Sequence, residues 1–287
     1  MNNLIILATY WNEKQWIRTS LDQIKLLEPA EVIICDGNFD PKVPNYSTDG
    51  TSKSIREFQN AAPFRVEVIN AIRLENTSLL GKFYALLTQT GCNKYNNLFN
   101  LGRLVMAMRA SLRTNIYRIN QALTFAHMAR KSEYWRPGYW VMTLDADQFY
   151  SDEILKLIPE IINGSNPYEL ITANELTFPH DFYRYTDQYE KRIWNNMPHK
   201  ISSNMAIYPT RHLFKEFTMI SRMYIDCVKA YKAGFYFHYK FRDDLQRSAA
   251  GYQLGDREPP RAERYSDLIS LQDLKIHPKA IKANFDI

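Results

Sequence analysis

Five consecutive apolar residues, Leu4-Ile5-Ile6-Leu7-Ala8, follow a short polar start. A brief β-branched run bounded by polar residues predicts a strand buried on both faces. Beyond Asn12 the period changes. Trp16, Ile17, Leu21, Ile24 and Leu27 recur at helical steps, predicting a helix from about Asn12 that ends before Pro29. Residues 31–35, Glu-Val-Ile-Ile-Cys, repeat the buried-strand pattern and stop at Asp36-Gly37. Strand, helix and strand in this order form a βαβ unit, and the right-handed crossover makes it the start of a parallel sheet.

The alternation continues. A loop rich in Pro, Asn and Asp occupies 37–46. Ser47-Thr48-Asp49-Gly50-Thr51 then starts a helix through Phe58, with a hydroxyl or carboxylate to cap it. Residues 65–70 read as a third strand, 101–131 as helix stopped by Pro137-Gly138, and 139–144 as a fourth strand that delivers Asp145-Ala146-Asp147. Ser151-Asp152-Glu153 opens a helix through Ile162, acidic in its first turn. Residues 169–178 and 203–208 have strand character. After Gln246 the chain turns polar, with Gly251, Gly255 and Pro259-Pro260. The expectation is one α/β domain over 1–245, a Rossmann-like and mostly parallel sheet flanked by helices, with a loop-rich tail or lid over 246–287.

Composition narrows the function classes. At 287 residues, 45% hydrophobic and 23% charged, the chain suits a globular domain with a substantial core. Its net charge of +5 suits a polyanionic ligand such as a nucleotide diphosphate, or peripheral contact with an anionic membrane. Lys and Arg are dispersed, with no basic run beside a nucleic-acid motif, so no nucleic-acid partner is expected. Three cysteines without paired spacing, Cys35, Cys92 and Cys227, read as reduced thiols. The apolar start is too short for a signal peptide and no stretch has transmembrane length. A cytoplasmic chain, at most peripheral at a membrane's inner face, is expected.

In an open parallel sheet, ligands bind at the carboxyl ends of the strands. Three predicted strands end in polar groups: Thr9-Tyr10-Trp11-Asn12-Glu13, Asp36-Gly37-Asn38 and Asp145-Ala146-Asp147. A strand-end Asp is also a common cap, so Asp36 alone carries little. The set is more specific. Thr9-Tyr10-Trp11-Asn12-Glu13-Lys14 with Ile17 and Leu21 resembles the opening of glycosyltransferase family 2. Residues 31–37 with Ser47-Thr48-Asp49-Gly50-Thr51 resemble its second block, split here by an insertion around 39–46. Arg118-Ile119-Asn120-Gln121-Ala122-Leu123 is similar to the helix before the metal strand, and Leu144-Asp145-Ala146-Asp147 to the metal block. Asn204 to Phe214 resembles the acceptor-side strand, and Lys232-Ala233-Gly234-Phe235 the glycine-containing turn. The blocks stand in family order across 4–238.

The resemblance implies a GT-A fold and a metal-dependent, inverting glycosyltransferase that moves a sugar from a UDP- or GDP-type donor to a hydroxyl of a glycan or glycolipid. In that reading Thr9, Tyr10, Asn12, Glu13, Asp36, Arg118 and Asp145 hold the nucleotide sugar. Asp36 accepts from the base edge, and the ring of Tyr10 or Trp11 stacks on it. Asp145 and Asp147, two apart on an extended segment, would point to one side, toward the ribose and a cation. Asp145, Asp147 and His238 form the metal set, and oxygen-rich ligands suit Mn²⁺ or Mg²⁺. Arg103, Arg109, Arg113 and Arg118 fall along one helix and are candidates for the phosphates; a solvated or membrane-facing helix face is the alternative. The family keeps its catalytic base in a Glu-Asp pair before the glycine turn. Residues 221–226 hold no such pair, so Asp226 is the first candidate base and Asp181 the second. His180, His199 and His212 are weaker metal or phosphate candidates.

Two other readings remain. A sugar-1-phosphate nucleotidyltransferase needs a glycine-rich phosphate loop after the first strand, and residues 9–14 contain no glycine. A non-catalytic, carbohydrate-binding relative of the enzyme would account for the absent Glu-Asp pair.

Overall fold

The computed structural model describes residues 1–74, 116–136, 138–165, 170–178, 181, 183–187, 206–209, 230–239, 269–270 and 276–285. Its centre is built from the apolar runs read above. Strand β1 (Asn2–Tyr10) pairs in parallel with β2 (Pro29–Asp36) on one side and β4 (Trp140–Asp145) on the other, and β3 (Arg65–Ile69) lies outside β2. The order β3-β2-β1-β4 is that of a doubly wound sheet: the chain winds outward through β2 and β3, then returns to the far side of β1.

The described sheet continues as a mixed region. Strand β8 (Ala206–Pro209) joins β4 antiparallel, followed by β6 (Leu170–Phe178), β7 (Arg184–Asp187) and β10 (Ile269–Ser270). Strand β9 (Ala230–Tyr239) runs parallel to β6 and antiparallel to the three-residue β5 (Gln148–Tyr150). The α/β architecture agrees with the sequence reading, with its parallel part confined to the amino-terminal strands and the β6–β9 pair.

Alternation along β1 explains the layers. Leu4, Ile6, Ala8 and Tyr10 face one core with α1 (Ile17–Leu27), α2 (Thr51–Ala61) and α4 (Asp152–Asn163). Ile5 and Leu7 face the other, with Ile33, Cys35, Phe125 and Met128, the last two from α3 (Ile116–Lys131). A parallel strand covered on both faces has no polar face, which is why it reads as one unbroken apolar run.

Several boundaries differ from expectation. Helix α1 starts at Ile17 rather than Asn12, because Asn12 has φ 53°, a left-handed conformation that Asn tolerates and a helix does not. Pro29 begins β2 rather than lying between elements. The expected glycine turn at 232–235 lies inside β9. There the pairing moves from Thr172↔Lys232 to Asn174↔Phe235, one more residue on β9 than on β6, a bulge. The loop-rich tail expected from 246 does not describe its end: α5 (Lys279–Phe285) docks on the main core through Ile281, and Phe285 lies 4.9 Å from Trp16. Helix segment 101–115 of the expected 101–131 lies outside the described residues.

Candidate active site

Register sets the geometry. At the carboxyl ends of the central strands Thr9 lies beside Asp145, and Tyr10 beside Asp36. Strands β1 and β4 flank the point where the strand order reverses, the usual location of a ligand crevice in such sheets. Thr9 Oγ1 donates to Asp145 Oδ1 at 2.7 Å across this point. Gln148, at the start of β5, reaches back to the same group: its Nε2 is 3.5 Å from Asp145 Oδ2 and its Oε1 3.4 Å from the Asp145 amide.

Tyr10 has a different role from the one expected. Neighbouring strand residues face opposite layers, so Tyr10 turns toward α1 and shares a 2.9 Å hydrogen bond with Ser20. Its ring is 1% exposed and cannot stack on a base. Burial, and then the charges of Glu13 and Asp145, push its phenol upward, against the lowering effect of the Ser20 bond. Trp11 is also withdrawn, 6% exposed, with Nε1 donating to the Pro44 carbonyl.

Asp36 is committed to the second block. Its Oδ1 accepts from the Ser47 amide at 3.2 Å and the Ser47 hydroxyl at 2.6 Å, while Oδ2 accepts from the Ser52 hydroxyl. These bonds take three of roughly four acceptor positions on the carboxylate. The expected contact with a base edge therefore has to compete with loop closure. Asn12 and Glu13 are engaged likewise. The amides of Asn12, Glu13 and Lys14 donate to Ser47 Oγ, Thr51 Oγ1 and Asp49 Oδ2, and the Thr48 amide donates to Asn12 Oδ1. The two blocks hold each other, and the amides at the β1 exit are spent on side chains. Asn120 completes the frame: it is fully buried, donating to the Phe39 carbonyl and accepting from the Leu74 amide.

Asp147 lies elsewhere. The Asp145-Ala146-Asp147 segment is not extended, because a turn at Ala146-Asp147 joins β4 to β5, so the alternation rule does not align the two carboxylates. Pairing of β5 with β9 sets Gln148 opposite His238 and brings His238 Nε2 to 3.4 Å from Asp147 Oδ1. Among the described residues no group of three or more His, Cys, Asp or Glu side chains could hold a metal. The expected trio is therefore split, with Asp145 held by Thr9 and Gln148, and Asp147 facing His238. A two-residue donor set still fits a divalent cation that completes its shell with substrate phosphates and water. Adjacent ligands on an octahedral ion with bonds of about 2.1 Å stand about 3 Å apart, close to the separation seen.

Asp181 follows β6, and its Oδ1 accepts from the Tyr183 amide at 2.9 Å, an Asx turn. Arg118 is carried by α3, its side chain outside the described set. Asp226, Arg103, Arg109, Arg113, His180, His199 and His212 lie outside the described residues. Ser47, Ser52, Gln23 and Gln148 are the site's supports that the sequence reading missed. Gln23 holds β5 from α1, donating to the Gln148 carbonyl and accepting from the Tyr150 amide. Ser47 stands in the recognised second block and Ser52 directly follows it, so both could have been assigned to Asp36; no local signal marks Gln23 or Gln148.

No family model and no curated protein matches the chain. Solved structures that the chain is similar to include Staphylococcus aureus TarS, residues 1–349, at 12% identity and TM-score 0.42, covering 83% of this chain and 60% of that one. Mycobacterium tuberculosis glucosyl-3-phosphoglycerate synthase, solved with Mn²⁺, UDP and glucosyl-3-phosphoglycerate, gives 11%, 0.38, 87% and 75%. Mouse xyloside xylosyltransferase 1 gives 12%, 0.30, 76% and 70%. The chain thus spans less than two thirds of the TarS segment.

Proposed function

We propose that the protein is a metal-dependent glycosyltransferase that takes a nucleotide-diphosphate sugar, UDP- or GDP-linked, and transfers the sugar with inversion to a hydroxyl of a glycan or glycolipid. The observation that carries this is the juxtaposition at the sheet's switch point: Asp145, oriented by Thr9 and Gln148, ends β4, and the turn beyond it presents Asp147 to His238. In this reading Asp145 takes the donor's ribose hydroxyls. Asp147 and His238 would hold Mn²⁺ or Mg²⁺, which when bound draws off charge developing on the departing diphosphate. Asp36 acts mainly by closing the loop at the base end.

The acceptor hydroxyl needs a base. Asp226 is the first candidate by its place in the block order, and Asp181, with one oxygen in an Asx turn, is the second. Asp226→Asn should lower transfer by at least about a hundredfold with donor affinity nearly unchanged, in a single-turnover assay. The membrane contact suggested by charge stays a proposal; among the described residues no helix is long and apolar enough to cross a membrane. The direct test is calorimetric titration with UDP- and GDP-sugars, with and without Mn²⁺. Metal-dependent binding is expected, and its absence for every donor would overturn the reading. Tight binding without turnover would favour the non-catalytic alternative.

A further inference from the structure

The candidate metal pair is supported from an unexpected direction. Ile276 to Phe285 approaches from the far end of the chain, and His277, just before α5, is 1% exposed. Its ring sits among Phe178, Phe237 and Tyr239, with centroids at 5.1, 5.8 and 5.8 Å. Its Nδ1 shares a 2.7 Å hydrogen bond with the Tyr239 hydroxyl. A buried imidazole without such a bond would be costly, so this contact fixes where the segment docks. The flanks hold it too: the Lys279 amide donates to Asp152 Oδ1, and Phe285 packs on Trp16.

Tyr239 connects this contact to the site. Its ring stacks on Trp16 at 5.4 Å, and its hydroxyl takes His277. Its amide donates to the Asp147 carbonyl at 2.9 Å, and its chain neighbour is His238. One residue thus grips the turn bearing Asp147 and sets the position of His238. Pairing of β5 with β9 brings Asp147 and His238 together, and the position of β9 depends on what lies behind Tyr239.

We propose that His277 is a positioning residue for the Asp147–His238 pair, acting through Tyr239, so that docking of the carboxyl-terminal segment and binding of a divalent cation are coupled. Because coupling is reciprocal, occupancy of the pair stabilises the docked segment as much as docking stabilises occupancy. This rests on the metal reading of the pair, and the test separates the two.

The full-length protein is titrated with Mn²⁺ as parent, His277→Phe, His277→Asn and Tyr239→Phe, free Mn²⁺ being read by electron paramagnetic resonance. His277→Phe fills the aromatic pocket but removes the ring nitrogen. It should weaken Mn²⁺ about tenfold to a hundredfold, the loss usual when a support behind a metal ligand is removed. Tyr239→Phe, which deletes one oxygen, should give a loss of similar size. The double variant should be no worse than either single one. His277→Asn returns an amide near the position of Nδ1 and should recover most of the affinity, which a merely structural role for ring volume would not produce. Hydrogen exchange is measured on the same proteins without metal. The Tyr239 amide should exchange faster in His277→Phe than in the parent, and His277→Asn should restore it. If the parent binds no Mn²⁺ the metal reading fails, and the exchange arm decides the positioning role alone. Unchanged exchange at Tyr239 in a folded His277→Phe overturns the proposal, as does parent-like Mn²⁺ affinity in both single variants.

Discussion

Two carboxylates at strand ends, Asp36 and Asp147, look alike in the sequence and sit in opposite circumstances. Asp36 ends β2 and is enclosed by hydroxyls and an amide from the loop and helix that follow it, all within sixteen residues. Asp147 stands in the turn after β4 and meets His238, a side chain that strand pairing brings from β9. The first belongs to a loop that closes on itself. The second exists only when two distant parts of the sheet are assembled. A carboxylate satisfied by its own segment serves the fold, whereas one facing an imidazole across strands holds donors that a cation can share. Proximity to a motif does not distinguish these cases; the partners do.

The largest expected effect opposes stability to function at this second site. Asp147→Ala should abolish transfer and metal-dependent nucleotide binding while moving unfolding stability by less than about 1 kcal/mol. A urea melt beside the transfer assay checks both. Transfer at the parent rate in the variant would remove the distinction between the two regions.

Asp36→Ala should do the reverse. It removes the carboxylate acceptor from the Ser47 amide and hydroxyl and leaves the Ser52 hydroxyl only the Ser47 carbonyl; all three lost bonds go to the carboxylate, and the two from Ser47 are buried. Each such bond contributes about 1.5–3 kcal/mol. Water reaching the opened loop limits the total, and we expect a loss of roughly 2–4 kcal/mol. A stability loss below about 0.5 kcal/mol, with nucleotide affinity falling instead, would return Asp36 to the base edge.

Gly37 tests how tightly the locked region is packed. A Cβ there would lie 2.5 Å from Asn45 Oδ1 and 2.9 Å from the Ala71 backbone nitrogen. The side chain of Asn45 is held by its bond to the Ala71 carbonyl, so neither neighbour yields easily. Gly37→Ala should cost about 1–3 kcal/mol, as overpacking does, without changing Mn²⁺ affinity. Thermal melts with and without the cation measure it. A variant as stable as the parent would show that the loop can shift.

The contrast also explains what was legible in the sequence. Strands β1, β2 and β4 and helix α1 could be read because burial on two faces, or on one helical stripe, leaves a periodic record. The same unbroken run in β1 conceals which residues face which layer. Tyr10 therefore reads as a base-stacking ring although it points at Ser20. Strand β5 has three residues and no period to detect, yet it sets the Asp147–His238 pair. Helix α5 lies beyond a polar stretch that resembles a tail, and the contact that His277, just before it, makes with Tyr239 is tertiary. The frame was written locally; the pairing across β5 and β9 was not.

The smallest expected effect lies on the boundary between the two regions. Thr9 belongs to β1 and thus to the locked half, but its hydroxyl donates at 2.7 Å to Asp145, the first group of the ligand half. Thr9→Val keeps the branched shape and the strand preference and removes one donor. Asp145 is partly open to water and keeps Gln148, so water replaces much of what is lost. A charge-assisted bond in that partly solvated setting should fall below its usual range, to about 1 kcal/mol, or roughly fivefold in a dissociation constant. If the hydroxyl serves to aim Asp145 at a ribose, UDP or GDP affinity should fall by that factor in calorimetry while the melting midpoint shifts only a few degrees. If affinity holds and the midpoint drops alone, Asp145 belongs with Asp36 as a structural carboxylate. The donor site would then have to be sought away from the switch point.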